Sequence, residues 1–220
     1  MPSEPSGVPQ QFLSLPLFPL PRVVLLPHSL LPLHVFEPRY RALVDDLLRG
    51  DGLLGIPRIV HGSVSCGECP PFAPVMGLGR LVRHQRLPDG RSNIVVLGIG
   101  RVRCDQEHAQ PDVPYRIGAC TLLDCGEASV PSRLQQTAEQ LRYTALQLAR
   151  WRPDAAEELQ KLLSPDRDLS ETVDILAHMC IRDTDERQAY LELDCPLPRV
   201  ERVLAALTSI LYDHQDRATC

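Results

Sequence analysis

Residues 15–41 read "LPLFPLPRVVLLPHSLLPLHVFEPRYR". The run is rich in Leu, Val and Phe, yet Pro16, Pro19, Pro21, Pro27, Pro32 and Pro38 interrupt it. A membrane-crossing helix needs about 20 apolar residues in a row, and each interior proline costs about 3 kcal/mol in a helix. Arg22 and His28 also fall inside the run, and the preceding "MPSEPSGVPQ" lacks the basic start of a signal peptide. What remains is a series of short extended segments joined by turns. Proline has no backbone N–H to give to a ladder, so such segments suit sheet edges, strand starts and bulges. The stretch is expected to open a β domain of many short strands.

The rest of the first half continues that texture around one helix. In "FEPRYRALVDDLLRGDG", Pro38 suits the first helical position, Glu37 suits the positive end of the helix dipole, and Gly50 or Gly52 suits the stop. Tyr40, Leu43, Val44 and Leu47 recur at helical spacing and form one buried stripe. "GLLGIPRIV" reads as a strand. "APVMGLGRLVRHQRLPDGRSNIVVLGIGRVRCD" reads as two or three strands with a hairpin turn at Pro88-Asp89-Gly90, and "VPYRIGACTLLDC" as one more. After "GEASVPS" (126–132) the pattern turns helical: Leu134, Leu141, Ala145 and Leu148 share a face, with Trp151 near its end and best read as buried. "SETVDILAHMC" is a helix expected to start at Ser170, and "DTDERQAYLEL" is another. In the last helix Val200, Val203, Leu204, Leu207, Ile210 and Leu211 form an apolar stripe that must pack on something. The expected division is a disordered 1–11, a β domain over 12–126 and a helical bundle over 131–215.

Charge and chemistry exclude several functions. The 220-residue chain carries a net charge of −5, which argues against nucleic-acid binding by the chain as a whole. Residues 131–220 hold 16 acids against 11 bases, so the acidity belongs to the helical half. Lys161 is the only lysine, between Gln160 and Leu162, so a Gly-Lys-Ser/Thr phosphate loop is excluded. It also reads as an exposed helix residue rather than half of a Ser–Lys catalytic pair. Glycine-flanked serine of the G-x-S-x-G type is absent, and His28 and His34 read as surface or satisfied histidines. Eight cysteines in a chain of this length, without a secretion signal, read as reduced thiols of a cytoplasmic protein. Cys66 and Cys69 form one C-x-x-C; a structural zinc site needs four ligands, and a second such motif is missing, so neither a metal nor any other cofactor is expected. His61 or His84 would complete such a site only by accident of the fold. Arg80, Arg83, Arg86, Arg91, Arg101 and Arg103 face a single acid, Asp89, over residues 80–103. Arg101 and Arg103 alternate around Val102 and should project from one sheet face. The cluster could touch RNA, but it contains no aromatic residue for base stacking, so a solvated polar face is the expectation.

The order of motifs resembles one family. "LPLFPL" followed by "LPLHVFEPRYR" is similar to the start of the Lon protease N-terminal, substrate-binding domain. "LPDGR" (87–91), "LGIGRVR" (97–103), "PYRIGACTLL" (114–123), "TVDILAHMC" and "RQAYLELDCPLPRVERVLAAL" follow in family order, so that the resemblance spans residues 12–213. Residues 61–80 depart from the pattern, which usually has a loop into a G-T-x-A strand there. The resemblance implies an α+β fold: a PUA-like β-barrel or sheet domain, then a helical bundle. It makes Leu17, Phe18, Pro19, Phe36, Glu37, Pro38, Arg39 and Tyr40 a signature that is mainly architectural, with Glu37, Arg39 and Arg41 as a helix-start and ion-pair device. It implies a non-catalytic protein that recognises unfolded or client polypeptide, an adaptor in protein quality control without the ATPase and protease modules of Lon. The alternative is an RNA-binding module using Arg80, Arg83, Arg101 and Arg103; a hydrolase or redox enzyme using the cysteines is a third class. Clients or a partner protein are the expected partners, with no membrane and no nucleic acid, and the binding residues and oligomeric state are not legible.

Overall fold

A computed structural model describes residues 10–60, 70–108, 112–124, 131–150, 156–164 and 166–218. The chain divides into two compact units, Met1–Leu123 and Asp124–Cys220. Trp151, His61 and the Cys66–Cys69 motif lie outside the described residues.

The first unit is one sheet of six strands with a single helix: β1 (Gln11–Leu17), β2 (Leu30–Val35), α1 (Pro38–Arg49), β3 (Leu53–Ile56), β4 (Val75–Arg86), β5 (Ser92–His108) and β6 (Arg116–Leu123). The strand order is β2-β5-β4-β3-β1-β6, with β6 also paired to β5. Those pairings close a circuit through β5, β4, β3, β1 and β6, and β2 lies outside it. Each strand of the circuit supplies at least one side chain to a buried cluster made of Phe12, Leu15, Leu17, Leu53, Met76, Leu78, Val102 and Cys120. A second cluster gathers Phe18, Leu25, Val35, Leu54, Ile56, Ile94 and Val96 with the helix residues Tyr40, Leu43, Val44 and Leu47. Leu53 and Leu54, adjacent in β3, belong to different clusters, as period-2 alternation requires. Pro38 stands in the first turn of α1 and Gly50 at its C-cap, and Phe18 stacks on Tyr40 at 4.1 Å between ring centroids.

The proline-rich opening therefore does more than form strands. Its Val24–Leu26 segment is buried, and it lies directly on the sheet at two glycines. A side chain at Gly77 would sit 2.2 Å from the Leu25 carbonyl oxygen, and one at Gly98 would sit 2.1 Å from that of Leu26. His28 donates its N–H to Gly98 O, and Gly98 donates to Ser29 O. Arg22 and His28 take positive φ values of 56° and 59° at the bends that enter and leave this segment.

The sequence reading of 73–105 as two or three strands resolves into two long ones, hinged at Leu87–Arg91, where Gly90 has φ 79°. β4 and β5 are irregular: Gly79 pairs with Gly98, but Leu78 pairs with Gly100, so β5 carries one extra residue there. A one-residue slip of this kind exchanges the two faces of the strand beyond it.

The second unit contains α2 (Pro131–Ala149), α3 (Ala156–Leu162), α4 (Leu169–Cys180), α5 (Thr184–Leu191) and α6 (Pro196–Ala218). The start of α4 corrects the sequence reading. Asp168, not Ser170, is the N-cap, and its carboxylate accepts the Glu171 N–H at 2.9 Å. Both residues are cap formers, but only Asp168 precedes the first helical turn. Asp183 caps α5 in the same way through Glu186 N–H. Arg187 of α5 closes the far end of α4 by donating to the carbonyls of His178 and Ile181. At the centre, Asp174 of α4 accepts from Tyr190 OH at 2.5 Å and from the Arg199 guanidinium, which also stacks over the Tyr190 ring. These three buried groups tie α4, α5 and α6 together. Val200, Val203 and Leu207 of the α6 stripe are buried as expected. Leu204 is not core: it is half-buried beside Gln136, Glu139, Gln140 and Tyr143, along a shallow groove of 570 Å³.

Candidate functional site

An apolar recess lies inside the helical unit. Ala145 and Leu148 of α2, Leu159 and Leu162 of α3, Ile175, Leu176, Met179 and Cys180 of α4, and Leu207 of α6 surround a cavity of 380 Å³. Helical periodicity explains each wall: Leu141, Ala145 and Leu148 are one face of α2, and Leu176, Met179 and Cys180 one face of α4. Met179 stands at the mouth with 55% of its surface exposed. Two charges reach the lining, Glu158 and Arg167, and Arg167 is held by Glu171 one turn along. Burial pushes the Cys180 thiol up to about 11, so it is a neutral wall residue. The recess offers contact area and a flexible thioether, which suits irregular apolar side chains.

The β unit offers a different surface. Among the described residues β2 pairs only with β5 and is a sheet edge. Because Gly98 donates to Ser29 O, Leu31, Leu33 and Val35 point their backbone groups at β5, and Leu30, Pro32 and His34 point theirs outward. The middle residue of the open edge is thus a proline without an N–H, which blunts strand addition. His34 accepts from Arg91 at Nε2 and donates from Nδ1 to Asn93 Oδ1 at 2.8 Å, so it is engaged in a surface network. Pro32, Leu33, His34, Arg83, Gln85 and Asn93 help to line an open depression of 490 Å³.

The signature residues fall into two groups. Leu17, Phe18, Pro19 and Tyr40 are buried. Phe36 is 60% exposed and stacks on His34; it follows the buried Val35 on the opposite side of the strand end. Glu37 and Arg39 form an exposed ion pair at 2.8 Å beside Pro38, and Arg39 lies over Tyr40. The Arg41 guanidinium lies across the hairpin turn at Gly90.

The arginine cluster is not one face. Arg101 pairs with Gly77, whose β3 neighbour Ile56 belongs to the α1-side cluster; Arg80 pairs with Leu53 of the other cluster, and Arg83 lies on the Arg80 side after a second bulge at Val82. The added residue in β5 therefore separates Arg80 and Arg83 from Arg101 and Arg103. Arg101 is only 2% exposed, Arg103 is bound to Asp105 at 2.9 Å, and Arg91 to Asp89. Sequence alternation found the Arg101–Arg103 relation but had no signal for the bulges or for the burial of Arg101. The helical cavity was missed altogether, since four helices make it jointly and no single periodicity marks it. Among the described residues no group of three or more His, Cys, Asp or Glu side chains could hold a metal ion, and no helix is long and apolar enough to cross a membrane.

The matches to known proteins agree with this architecture. Residues 14–209 match the family described as the ATP-dependent protease La (LON) substrate-binding domain. The Lon protease of Cytophaga hutchinsonii is 23% identical over 86% of this chain, and that of Azorhizobium caulinodans is 24% identical over 92%. The chain spans 23% of the length of each. Among solved structures, the N-terminal domain of Mycobacterium avium complex Lon protease superposes with a TM-score of 0.67 at 15% identity, covering 89% of this chain and 98% of that one. A Lon N-terminal domain protein from Xanthomonas campestris gives 0.62 at 25% identity, covering 88% and 98%. With the family matched across both units, the chain belongs to the Lon substrate-binding domain family.

Proposed function

We propose that this chain is a non-catalytic polypeptide-recognition protein, with a PUA-like barrel as its first unit and a helical bundle that takes up apolar side chains of unfolded clients. The observation that carries the reading is the 380 Å³ recess walled by Leu148, Leu159, Leu162, Ile175, Leu176, Met179 and Leu207. Apolar walls without a reactive group suit binding and not turnover. The closed circuit of strand pairings supports the barrel, and membership of a substrate-binding family supports polypeptide as the ligand. Affinity is modest, because an unfolded segment loses conformational freedom when it is held. A role as an adaptor in protein quality control follows from such capture.

Fluorescein-labelled casein, which lacks a stable fold, provides the test by fluorescence anisotropy. Met179→Glu places a charge at the mouth of the recess, at an exposed position where it does not disturb the core. Removing one buried apolar side chain costs about 1.5–3 kcal/mol, so the Kd is expected to rise about tenfold or more. An unchanged Kd with Met179→Glu would exclude the recess as the client site.

A further inference from the structure

Two cysteines that the proposed function does not use face each other across β5 and β6. Cys104 pairs with Cys120 in the antiparallel register. Their backbone groups point away from each other. Cys104 donates its N–H to Pro74 O on the β4 side, and Leu122 donates to Gln10 O on the β1 side, which sets the same direction for Cys120 two residues earlier. The pair is therefore of the non-hydrogen-bonded kind, in which opposed Cα atoms approach to about 4.5 Å and side chains come closest. A disulfide spans Cα separations of about 4.4–6.8 Å. Both sulfurs lie against the position where a side chain at Gly118 would begin, at 2.8 and 3.4 Å. Glycine at 118 leaves them room. Cys120 is buried, whereas Cys104 is partly open to solvent and so gives a reagent its entry.

We infer that Cys104 and Cys120 are an oxidisable pair that thiol–disulfide exchange with a small-molecule disulfide closes into a bond across the β5–β6 seam. In the first step the Cys104 thiolate attacks the reagent disulfide; its S–S bond breaks, and one reagent thiolate leaves and takes up a proton. In the second step Cys120 loses its proton and attacks the Cys104 sulfur, expelling the second reagent thiol. Two protein thiols are oxidised and one reagent disulfide is reduced to two thiols. Burial pushes the Cys120 thiol up to about 12, and the next contributions come from Cys104 as a neighbouring charge and hydrogen-bond partner. Capping Cys104 in the first step removes those contributions and eases the second. The new bond reinforces the pairing that closes the circuit of strands, so the closed form melts at a higher temperature than the dithiol.

The test is peptide mapping of the full chain after incubation with oxidised glutathione at mildly alkaline pH, without denaturant, followed by acid quench and alkylation. The expected product is a Cys104–Cys120 linked peptide, lost on treatment with dithiothreitol, together with a raised melting temperature. Cys120→Ala should stop at a glutathione adduct on Cys104. In the wild-type chain, a lasting adduct at Cys104, full alkylation of both thiols, or a disulfide formed elsewhere while these two stay free would overturn the inference. The wild-type map decides the matter even where the variant does not fold.

Discussion

In the β unit, the carbonyls of Leu25 and Leu26 occupy the space where Gly77 and Gly98 would otherwise carry side chains. In the helical unit, a ring of leucines leaves 380 Å³ open, and the centre is held by the polar Asp174–Tyr190–Arg199 group. The first is packed backbone to backbone where the Val24–Leu26 segment meets the sheet and has no room to give there. The other is tied by a few directional bonds and keeps a gap beside them. A tight unit can position but not engulf, whereas a gapped one can take in a side chain, and the proposed client site is placed in the helical unit for that reason. The contrast also ranks the damage that single substitutions should do.

The largest effect is expected in the tight unit. Gly98→Ala puts a Cβ 2.1 Å from a backbone oxygen that cannot rotate away. The loss should be about 3 kcal/mol or more, at the upper end of overpacking costs. Gly100→Ala, two residues on, meets nothing nearer than Leu122 Cδ1 at 3.6 Å and should be neutral or slightly stabilising. Chemical denaturation of both variants checks this, and equal behaviour of the two would mean that the Val24–Leu26 segment is not seated on the sheet.

The next effect tests the polar centre of the helical unit. Asp174→Ala leaves the buried Arg199 without its carboxylate, and breaking a buried ion pair from one side costs about 3–5 kcal/mol. Urea unfolding followed by helix signal should show the helical transition moved well to the left, with the strand signal of the β unit changed less. A shift below about 1 kcal/mol would show that the three groups do not hold α4, α5 and α6.

These two sites also show what the sequence could and could not reveal. Pro38, the Tyr40–Leu43–Val44–Leu47 stripe and Gly50 carry α1 entirely in local order, so its place and buried face were readable. So was the 87–91 turn, because Asp89 and Gly90 are suited to that turn by their own chemistry. The bulge between Gly98 and Gly100 is a matter of how β5 fits β4, and local order holds no trace of it; hence the arginines of 80–103 read as one patch when they occupy two faces. Ser170 and Asp168 offer the same cap chemistry two residues apart, and packing chooses between them. Leu204 sits in register with a true stripe, yet only the neighbouring helix decides how wide the covered part of that stripe is.

Leu204 accordingly gives a smaller effect than its place in the stripe suggests. Leu204→Asp faces Gln136, Gln140 and Thr144 across an open groove, so its carboxylate keeps water. The cost should stay near about 1 kcal/mol, typical of a partly exposed site, with repulsion from Glu139 included. The same change at Leu207, which is 2% exposed, should prevent the helical unit from folding, since it buries a charge among apolar walls. Thermal melts that rank the two variants in the reverse order would place the edge of the core on the wrong side of α6.

The smallest expected effect is a pH slope in the helical unit. His178 lies near the end of α4, half-buried, and burial first and the nearby Arg187 charge second hold its pKa below the ordinary histidine value of 6.5. Its protonated form is thus disfavoured in the folded chain relative to the unfolded one. The unfolded state binds more protons in the window just below pH 6.5, so stability is fully present above that value and declines as the pH falls through the lowered folded pKa. Arg187 cannot relieve the strain by moving, since it donates to the carbonyls of His178 and Ile181 and so caps α4. Helix-monitored melting temperatures taken from pH 7.5 down to pH 5.5 should therefore decline gently, and His178→Gln, which keeps a polar side chain without a titrating proton, should flatten that part of the profile. An identical slope in wild type and variant would show that His178 is not the source of the decline and leave the end of α4 insensitive to pH.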